Sequence, residues 1–308
     1  MRAVAFAGFG AAPTLTDLPA PEPGPGEVLI RVQASSVNGF DLGVLGGHLQ
    51  GVYEYEFPVV LGKDFAGMLT AIGPGVTDRA VGDTVFGVVM RPTLGQGGFA
   101  EYVAVPAGYG IAPVPDGLDV RRAAALGLAG TAALNAVEAV GLTEGETVLI
   151  SGATGGVGAY AIQLAAAHGA TVIATARPGP ESAFVTGLGA THIVDHTDLV
   201  SQVRAHAPGG VHAALHLAGD GATVAGLLVP GGRLASTLHY APGDLAERDI
   251  KATAVMADPS PATLARLADA VVTGQLRVPV GRAYQLADAA RAIADFTSGT
   301  VGKLAITV

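Results

Sequence analysis

The sequence predicts an α/β chain of two domains, and three observations carry that prediction. With 308 residues, the chain exceeds the usual size of a single hydrophobic core. Residues 1 to about 110 form short apolar runs separated by glycine and proline turns, which is typical of an all-β domain. From Ala123 onward, apolar strands alternate with stretches of helical length, which predicts a doubly wound parallel sheet.

The elements of each part follow from apolar periodicity and turn residues. In the first part the predicted strands are 27–32, 66–72, 84–89 and 100–105. In the second part they are 147–151, 171–176, 192–195, 212–217 and 232–236, with helices between them. The tail predicts a helix over 261–273, a strand near 275–279, a helix over 286–298 and a closing strand over 303–308 that returns to the first domain. We therefore expect one domain at 1–122 and 267–308, and another at 123–266.

A glycine-rich turn follows the strand at 147–151. Gly152 and Ala153-Thr154-Gly155-Gly156-Val157-Gly158 lead directly into a helical stretch that begins at Ala159. Glycines allow a tight turn and a close approach to a pyrophosphate, while the free N–H groups of the new helix face that anion. Ala153 stands where the strict G-x-G-x-x-G pattern has its first glycine, so a structural glycine turn remains the alternative to a dinucleotide site.

The end of the next strand indicates which dinucleotide is bound. An NAD-preferring site has Asp or Glu there to bind the ribose 2′-hydroxyl. This chain instead reads Thr175-Ala176-Arg177, with a guanidinium suited to a 2′-phosphate. NADP(H) is therefore the predicted cofactor, and a solvated arginine is the alternative.

Composition excludes several classes of function. Asp and Glu number 26 against 17 Lys and Arg, giving a net charge of −9, which disfavours nucleic acid and anionic membranes as partners. The chain has no cysteine, which rules out disulfides, thiol nucleophiles, thiolate zinc sites and iron–sulfur clusters. His212 and His216 lie too far apart along a strand to share one ion.

No targeting or membrane segment is predicted. The amino terminus meets Gly8, Gly10 and Pro13 too early to form a signal-peptide core, so we expect a cytoplasmic protein. The apolar window 123–142 contains Thr131 and Glu138, which suit a packed helix better than a membrane span.

Several separate segments carry a family resemblance. They are Ser36-Val37-Asn38 with Asp41, Gly62 to Gly67, Val81 to Gly87, Gly97 to Val103, Gly152 to Gly158, and Gly302-Lys303. In their order and spacing the chain resembles, over essentially its whole length, the zinc-independent quinone oxidoreductase branch of the medium-chain dehydrogenase/reductase superfamily. The resemblance implies a GroES-like β-barrel catalytic domain, a Rossmann nucleotide-binding domain, a nicotinamide in the cleft between them, and a homodimer.

The resemblance also implies that no metal is bound. Zinc-dependent relatives have cysteine ligands and a histidine at the position of Lys63, and this chain has neither. Without a Lewis acid, alcohol oxidation is disfavoured, whereas hydride transfer from NADPH to a quinone or an activated C=C bond of a small apolar electrophile needs no metal. The alternative is an NADPH-binding structural or redox-sensing protein with little catalysis.

Individual site residues are likewise carried over from the family. Asn38 is expected to hydrogen-bond a substrate oxygen, Asp41 to fix a neighbouring loop, Thr131 to lie beside the nicotinamide carboxamide, and Thr175 and Lys303 to belong to the cofactor site. The alternatives are a turn-forming asparagine for Asn38, a structural carboxylate for Asp41 and a helix cap for Thr131.

Three positions depart from the family pattern. Leu49 replaces a tyrosine, which leaves proton donation open among His48, Tyr53 and solvent. Glu181 replaces a lysine. His196 replaces a tyrosine, so it either contacts the cofactor by stacking or hydrogen bonding, or is a surface histidine.

Overall fold

The computed structural model describes residues 1–308. Its strands are, in chain order, β1 Arg2–Phe6, β2 Thr14–Asp17, β3 Glu27–Ser36, β4 Glu54–Tyr55, β5 Val59–Val60, β6 Asp64–Ile72, β7 Thr84–Val88, β8 Thr93–Leu94, β9 Tyr102–Pro106, β10 Ile111–Pro113, β11 Thr147–Ser151, β12 Thr171–Thr175, β13 His192–Val194, β14 Val211–His216, β15 Leu228–Ser236, β16 Lys251–Ala254, β17 Val280–Gln285 and β18 Lys303–Thr307. Its helices are α1 Gly39–Leu45, α2 Val120–Val140, α3 Gly156–Ala167, α4 Pro180–Thr186, α5 Leu199–His206, α6 Gly221–Ala225, α7 Pro261–Val272 and α8 Ala289–Thr297.

The chain divides into two compact units. The first comprises Met1–Leu128 and Pro259–Val308, and the second comprises Ala129–Asp258. The predicted boundaries at 123 and 266 differ from these for two physical reasons. The first boundary falls inside the continuous helix α2, and α7 packs against β10 of the first unit.

The first unit is built mainly from antiparallel strands around β3. This strand pairs with β6 along most of its length, with β9 through residues 27–31 and with β18 through residues 34–36. Val28, Ile30, Val32 and Ala34 alternate with less buried residues, so their side chains form one face that enters the core. Because β18 pairs with β3, the tail of the chain lies in the first unit.

The second unit contains a six-stranded parallel sheet in the order β13-β12-β11-β14-β15-β16. Counted from its own first strand, this order is 3-2-1-4-5-6, the doubly wound arrangement that was predicted. The strand β11 is almost continuously buried, as expected for a sheet covered by helices on both faces. In such sheets, ligands bind beyond the carboxyl ends of the strands where the strand order reverses, which here is the end of β11.

Two elements, β17 and α2, bear on expectations drawn from the sequence. The strand predicted near 275–279 lies instead at β17, Val280–Gln285, because Pro279 lacks the N–H that a ladder requires. The helix α2 is long and apolar enough to cross a membrane by length and composition alone. Most of its apolar window is buried inside the protein, as in the packed helix that the sequence predicts.

Candidate active site

The glycine-rich turn joins β11 to α3 in the second unit. The N-cap of α3 is Gly155, which has no side chain to bond the first-turn N–H groups. An alanine Cβ at Gly158 would lie 2.3 Å from the carbonyl oxygen of Gly152, so the helix approaches the loop backbone more closely than any other residue allows. The first turn of α3 therefore offers unpaired backbone donors and a helix dipole to an anion.

A side chain from the next strand holds this loop in place. The Oγ1 of Thr175, at the end of β12, accepts a hydrogen bond of 2.9 Å from the N–H of Gly152 and a longer one from the N–H of Ala153. Thr175 is buried, so its hydroxyl supports the loop from below. The structure gives Thr175 a positioning role within the predicted cofactor site.

The segment after β12 contains an ion pair that was not expected from the sequence. The Nε of Arg177 donates a 2.8 Å hydrogen bond to Glu181, and its Nη2 contacts the same carboxylate. The backbone N–H of Arg177 donates to the other oxygen of Glu181 at 2.8 Å. Hydrogen bonding to this guanidinium lowers the pKa of Glu181. A 2′-phosphate at Arg177 would therefore compete with a carboxylate of the chain itself.

Thr131 lies on α2 in the second unit. Its hydroxyl is buried and has no hydrogen-bond partner within the protein. A helical threonine ordinarily bonds the carbonyl four residues earlier. A buried hydroxyl without a partner costs free energy, which fits a group whose partner is a ligand.

In the first unit, Asp64 is the centre of a buried polar cluster. Its Oδ2 accepts hydrogen bonds from the Ser36 hydroxyl at 2.5 Å and from the Asn38 amide at 2.8 Å. Its Oδ1 accepts one from the N–H of Leu128 at 2.7 Å. Lys303 lies 3.6 Å from Oδ2 and neutralises the charge. A fully buried carboxylate is thus paired and hydrogen-bonded, as burial requires.

Asn38 and Lys303 satisfy one another inside this cluster. The Nζ of Lys303 donates to Oδ1 of Asn38 at 2.6 Å and to the carbonyl of Val37 at 2.9 Å. The Asn38 amide donates to Asp64 and to the carbonyl of Ser36. Lys303 is 2% exposed and holds this cluster of the first unit together, and its contact with the cofactor stays a prediction. A hydrogen bond from the Asn38 amide to substrate would require one of these bonds to break.

Asp41 joins α1 to the loop before β6. Its Oδ2 accepts from the N–H of Asn38 at 2.8 Å, and its Oδ1 accepts from the N–H of Gly62 at 3.2 Å. Burial, more than the nearby charge of Asp64, raises the pKa of this carboxyl to about 7. The side chain holds a neighbouring loop and is also poised to titrate near neutral pH.

Lys63 was singled out in the sequence only as a departure from the zinc pattern. The residue is 8% exposed. Its Nζ donates no hydrogen bond to the protein and lies 4.5 Å from the centroid of the Phe40 ring. Burial lowers the pKa of this ammonium to about 8, against the opposing charges of Asp41 and Asp64. The sequence signal that identifies it is a lysine in place of a metal-binding histidine, in a chain with only three lysines.

A zinc ion does not fit these side chains. The position of the histidine ligand holds an ammonium, which repels a cation, and the neighbouring carboxylates already serve backbone donors and Lys303. No group of three His, Cys, Asp or Glu side chains in the protein has the geometry to hold an ion. His212 instead accepts from the N–H of Thr147, while His216 bonds Ser236 and the carbonyl of Gly219.

The remaining predicted residues lie apart from this cluster. His48 is exposed after α1, and Tyr53 is half-buried with its ring edge-on to Phe40 at 6.1 Å. Neither lines the small cavity beside Asp41 and Lys63. In the second unit His196 is exposed, 3.5 Å from Asp195. Proton donation by His48 or Tyr53, and cofactor contact by His196, stay predictions.

Comparison with known proteins agrees with this fold. The family model of the alcohol dehydrogenase GroES-like domain matches residues 24–116, and that of zinc-binding dehydrogenases matches residues 188–306. A quinone oxidoreductase structure from Coxiella burnetii covers 100% of this chain and 99% of its own, with 30% identity and a TM-score of 0.90. The chain belongs to the medium-chain dehydrogenase/reductase superfamily of oxidoreductases.

Two further relatives bear on function. A mycobacterial protein whose structure was solved in complex with NADPH is 29% identical, with 100% of both chains covered and a TM-score of 0.88. A mycocerosic acid synthase-like polyketide synthase from Mycolicibacterium smegmatis is 37% identical over 217 residues, or 68% of this chain. That match spans only 10% of the synthase, so the chain corresponds to a small part of such a protein.

Proposed function

We propose that this protein is a metal-free, NADPH-dependent reductase that acts on a quinone or on a C=C bond conjugated to a carbonyl group. The observation that carries the proposal is the lysine at the zinc-ligand position beside two buried carboxylates. An ammonium there supplies positive charge without a metal. Reduction places negative charge on the acceptor's oxygen, and an ammonium stabilises that charge.

The second unit offers the residues that would hold the nucleotide. The first-turn N–H groups of α3, which begins at Gly156, would face the pyrophosphate, and Arg177 follows β12 where a 2′-phosphate is expected. The unpartnered Thr131 hydroxyl suits the nicotinamide carboxamide that the resemblance assigns to it. The bound NADPH of the mycobacterial neighbour supports the choice of cofactor.

The chemistry divides between cofactor and chain. When bound, NADPH supplies the hydride. The chain binds and orients the nucleotide through the loop and Arg177, and the apolar residues around Phe40 exclude water from the charged cluster. The product then gains a proton from the chain or from solvent.

Two classes of acceptor are proposed, a quinone and an activated C=C bond. The quinone oxidoreductase neighbour supports a quinone, and the similarity to a polyketide synthase supports an unsaturated acyl group.

We also propose that the protein is a cytoplasmic homodimer, as the family resemblance implies. Light scattering of the purified chain tests the dimer.

The test is oxidation of NADPH and NADH by the purified protein, followed at the nicotinamide absorbance. Para-benzoquinone, cyclohexenone and crotonyl-pantetheine are offered separately. We expect faster turnover with NADPH than with NADH, and the best acceptor identifies the class. Tight NADPH binding without turnover of any acceptor would favour a binding or redox-sensing protein instead.

A metal control accompanies this assay. The protein is dialysed against a chelator, and its zinc content and activity are measured. We expect activity to be unchanged. Activity that is lost and then restored by zinc would contradict the metal-free proposal.

A further inference from the structure

Lys63 and Lys303 both lie at the buried polar cluster of the first unit, but only one of the two ammonium groups donates hydrogen bonds to the protein. Lys303 donates hydrogen bonds to Val37 and Asn38 and lies 3.6 Å from Asp64, so its ammonium is engaged by the protein. Lys63 has similar burial but donates no hydrogen bond, and its only close partner is the face of Phe40. An ammonium that is almost buried and lacks an acceptor retains its hydrogen-bonding capacity for another molecule.

The surroundings of Lys63 favour an oxygen atom as that partner. A cavity of ≈ 20 Å³ is lined by Asp41, Lys63, Thr93 and Gln96, with apolar walls that include Phe40. This volume is enough for about one water molecule. The charged groups that face Lys63 are Asp41 and Asp64, and Lys303 already compensates Asp64. Asp41 is therefore the one titratable group that shares the cavity with the free ammonium.

We propose that Lys63 is a catalytic residue that hydrogen-bonds the acceptor's carbonyl oxygen and donates a proton to it. The inference deepens the proposed reductase function and rests on it. Bound NADPH would supply a hydride by breaking the C4–H bond of its nicotinamide; the hydride adds to the electron-poor carbon of the C=C bond, or to one carbonyl oxygen of a quinone, and the displaced electron pair moves to the carbonyl oxygen beside Lys63. An N–H bond of Lys63 then breaks as an O–H bond forms, which gives the hydroquinone directly or an enol that tautomerises to the saturated carbonyl compound.

Proton balance is restored through the cavity. After the reduced acceptor has left, one water molecule can occupy the cavity, and the neutral amine left on Lys63 regains a proton from the Asp41 carboxyl through it. Asp41 then regains a proton from solvent. The sum is NADPH, one proton and the acceptor going to NADP⁺ and the reduced acceptor. A donor that titrates near neutrality is suited to this role, and burial brings the pKa of Lys63 to about 8.

The test compares Lys63→Met and Lys63→Arg with wild type on the acceptor that wild type reduces fastest. Lys251→Met is the matched control, because Lys251 is exposed on the edge strand β16. We expect Lys63→Met to lower kcat roughly 100-fold while the Kd for NADPH, measured by fluorescence, stays unchanged. Lys63→Arg keeps the charge and should retain more activity than Lys63→Met. Lys251→Met should behave as wild type.

The pH profile provides a readout that a merely structural lysine would not move. Because a general acid must be protonated, wild-type kcat should fall as pH rises through about 8, the pKa of Lys63. The fall should disappear in Lys63→Met and move to higher pH in Lys63→Arg. A Lys63→Met enzyme with wild-type kcat, or one that keeps the alkaline fall, would overturn the inference.

The two proposals fail in different ways. If wild type binds NADPH but reduces none of the three acceptors, the reductase proposal fails and this inference fails with it. If wild type is active and Lys63→Met is equally active, only the role of Lys63 fails. Should Lys63→Met not fold, as judged by thermal unfolding, the pH profiles of wild type and Lys63→Arg still decide: a common alkaline fall refutes the inference.

Discussion

Two glycines of the nucleotide loop should differ in how strongly the same substitution destabilises the protein. In Gly158→Ala the new Cβ would lie 2.3 Å from the oxygen of Gly152 and 2.6 Å from the Cα of Ala153. Both are backbone atoms, so no side chain can rotate away. Ordinary contact begins at 3.4 Å, so the helix or the loop must retreat by roughly 1 Å.

The expected magnitude combines two opposing effects. Overpacking of a buried site costs ~1–3 kcal/mol, and a clash between backbone atoms belongs at the upper end. Alanine in place of glycine within a helix returns ~1 kcal/mol. We therefore expect Gly158→Ala to destabilise the second unit by ~2 kcal/mol, which lowers its unfolding temperature by roughly 5 °C or more.

Gly155→Ala is the matched control. The nearest atom to its Cβ is 3.5 Å away, and its backbone angles of −73° and 175° are open to alanine. We expect its stability to lie within ~0.5 kcal/mol of wild type.

Thermal unfolding of the three proteins measures stability, and fluorescence titration measures NADPH binding. The displaced loop of Gly158→Ala should also bind NADPH at least roughly 10-fold more weakly. Wild-type stability in Gly158→Ala, or an equal loss in Gly155→Ala, would refute the packing argument.

Three further predictions concern charged groups. Glu181→Gln frees the Arg177 guanidinium, so the protein should bind NADPH roughly 3- to 10-fold tighter, with its affinity for NADH unchanged. Arg177→Ala should weaken NADPH binding roughly 10-fold or more relative to NADH binding. Fluorescence titration measures both affinities. Lys303→Met leaves a buried carboxylate unpaired and should cost ~3–5 kcal/mol of stability, against almost nothing for the exposed Lys251→Met, as read by thermal unfolding. Asp41 has a folded-state pKa of about 7, above the unfolded value of 3.8, so it loses stabilising free energy as pH rises through that window. Asp41→Asn removes this titration, so its stability relative to wild type should increase between about pH 4 and about pH 7.

Specific results would contradict each of these. Equal losses of NADPH and NADH affinity in Arg177→Ala would remove the 2′-phosphate from that position, and weaker NADPH binding in Glu181→Gln would show that the ion pair orients the guanidinium. Lys303→Met as stable as Lys251→Met would mean that the buried charges are solvated. A constant stability difference between Asp41→Asn and wild type across the pH range would exclude the raised pKa.

Much of the fold could be read from local patterns. The buried run of β11, the glycine loop and the helix α3 are contiguous in sequence, so periodicity and turn chemistry predict them together. The parallel sheet follows from the alternation of strands and helices. The one misplaced strand, β17, begins just after the proline that ended the predicted one.

The Arg177–Glu181 pair was missed although the two residues are four apart. That spacing predicts an ion pair only inside a helix. Here α4 begins at Pro180 with Gly179 as its N-cap, so Arg177 precedes the helix and reaches Glu181 through the turn. The conformation of that turn, which includes a positive φ at Gly179, is not specified by spacing.

The charged cluster was beyond local patterns for a different reason. Asn38 and Lys303 are 265 residues apart and meet only because β18 pairs with the end of β3. Register between distant strands is a tertiary property. The resemblance identified Asn38, Asp41 and Lys303 as site residues. Only the structure shows that these side chains already have hydrogen-bond partners within the protein.

This cluster also argues against a purely structural role for its charges. Well-packed apolar residues usually stabilise a core as well as buried ion pairs do, because desolvation offsets much of the attraction between charges. Two ammoniums and two carboxylates among apolar strands therefore suggest a requirement other than stability. Asp64 and Lys303 satisfy each other, which leaves Lys63 and Asp41 as the titrating pair. Of the two ammonium groups, only that of Lys63 has no hydrogen-bond acceptor in the protein. It is therefore the one that can donate to a reduced acceptor whose negative charge lies on oxygen.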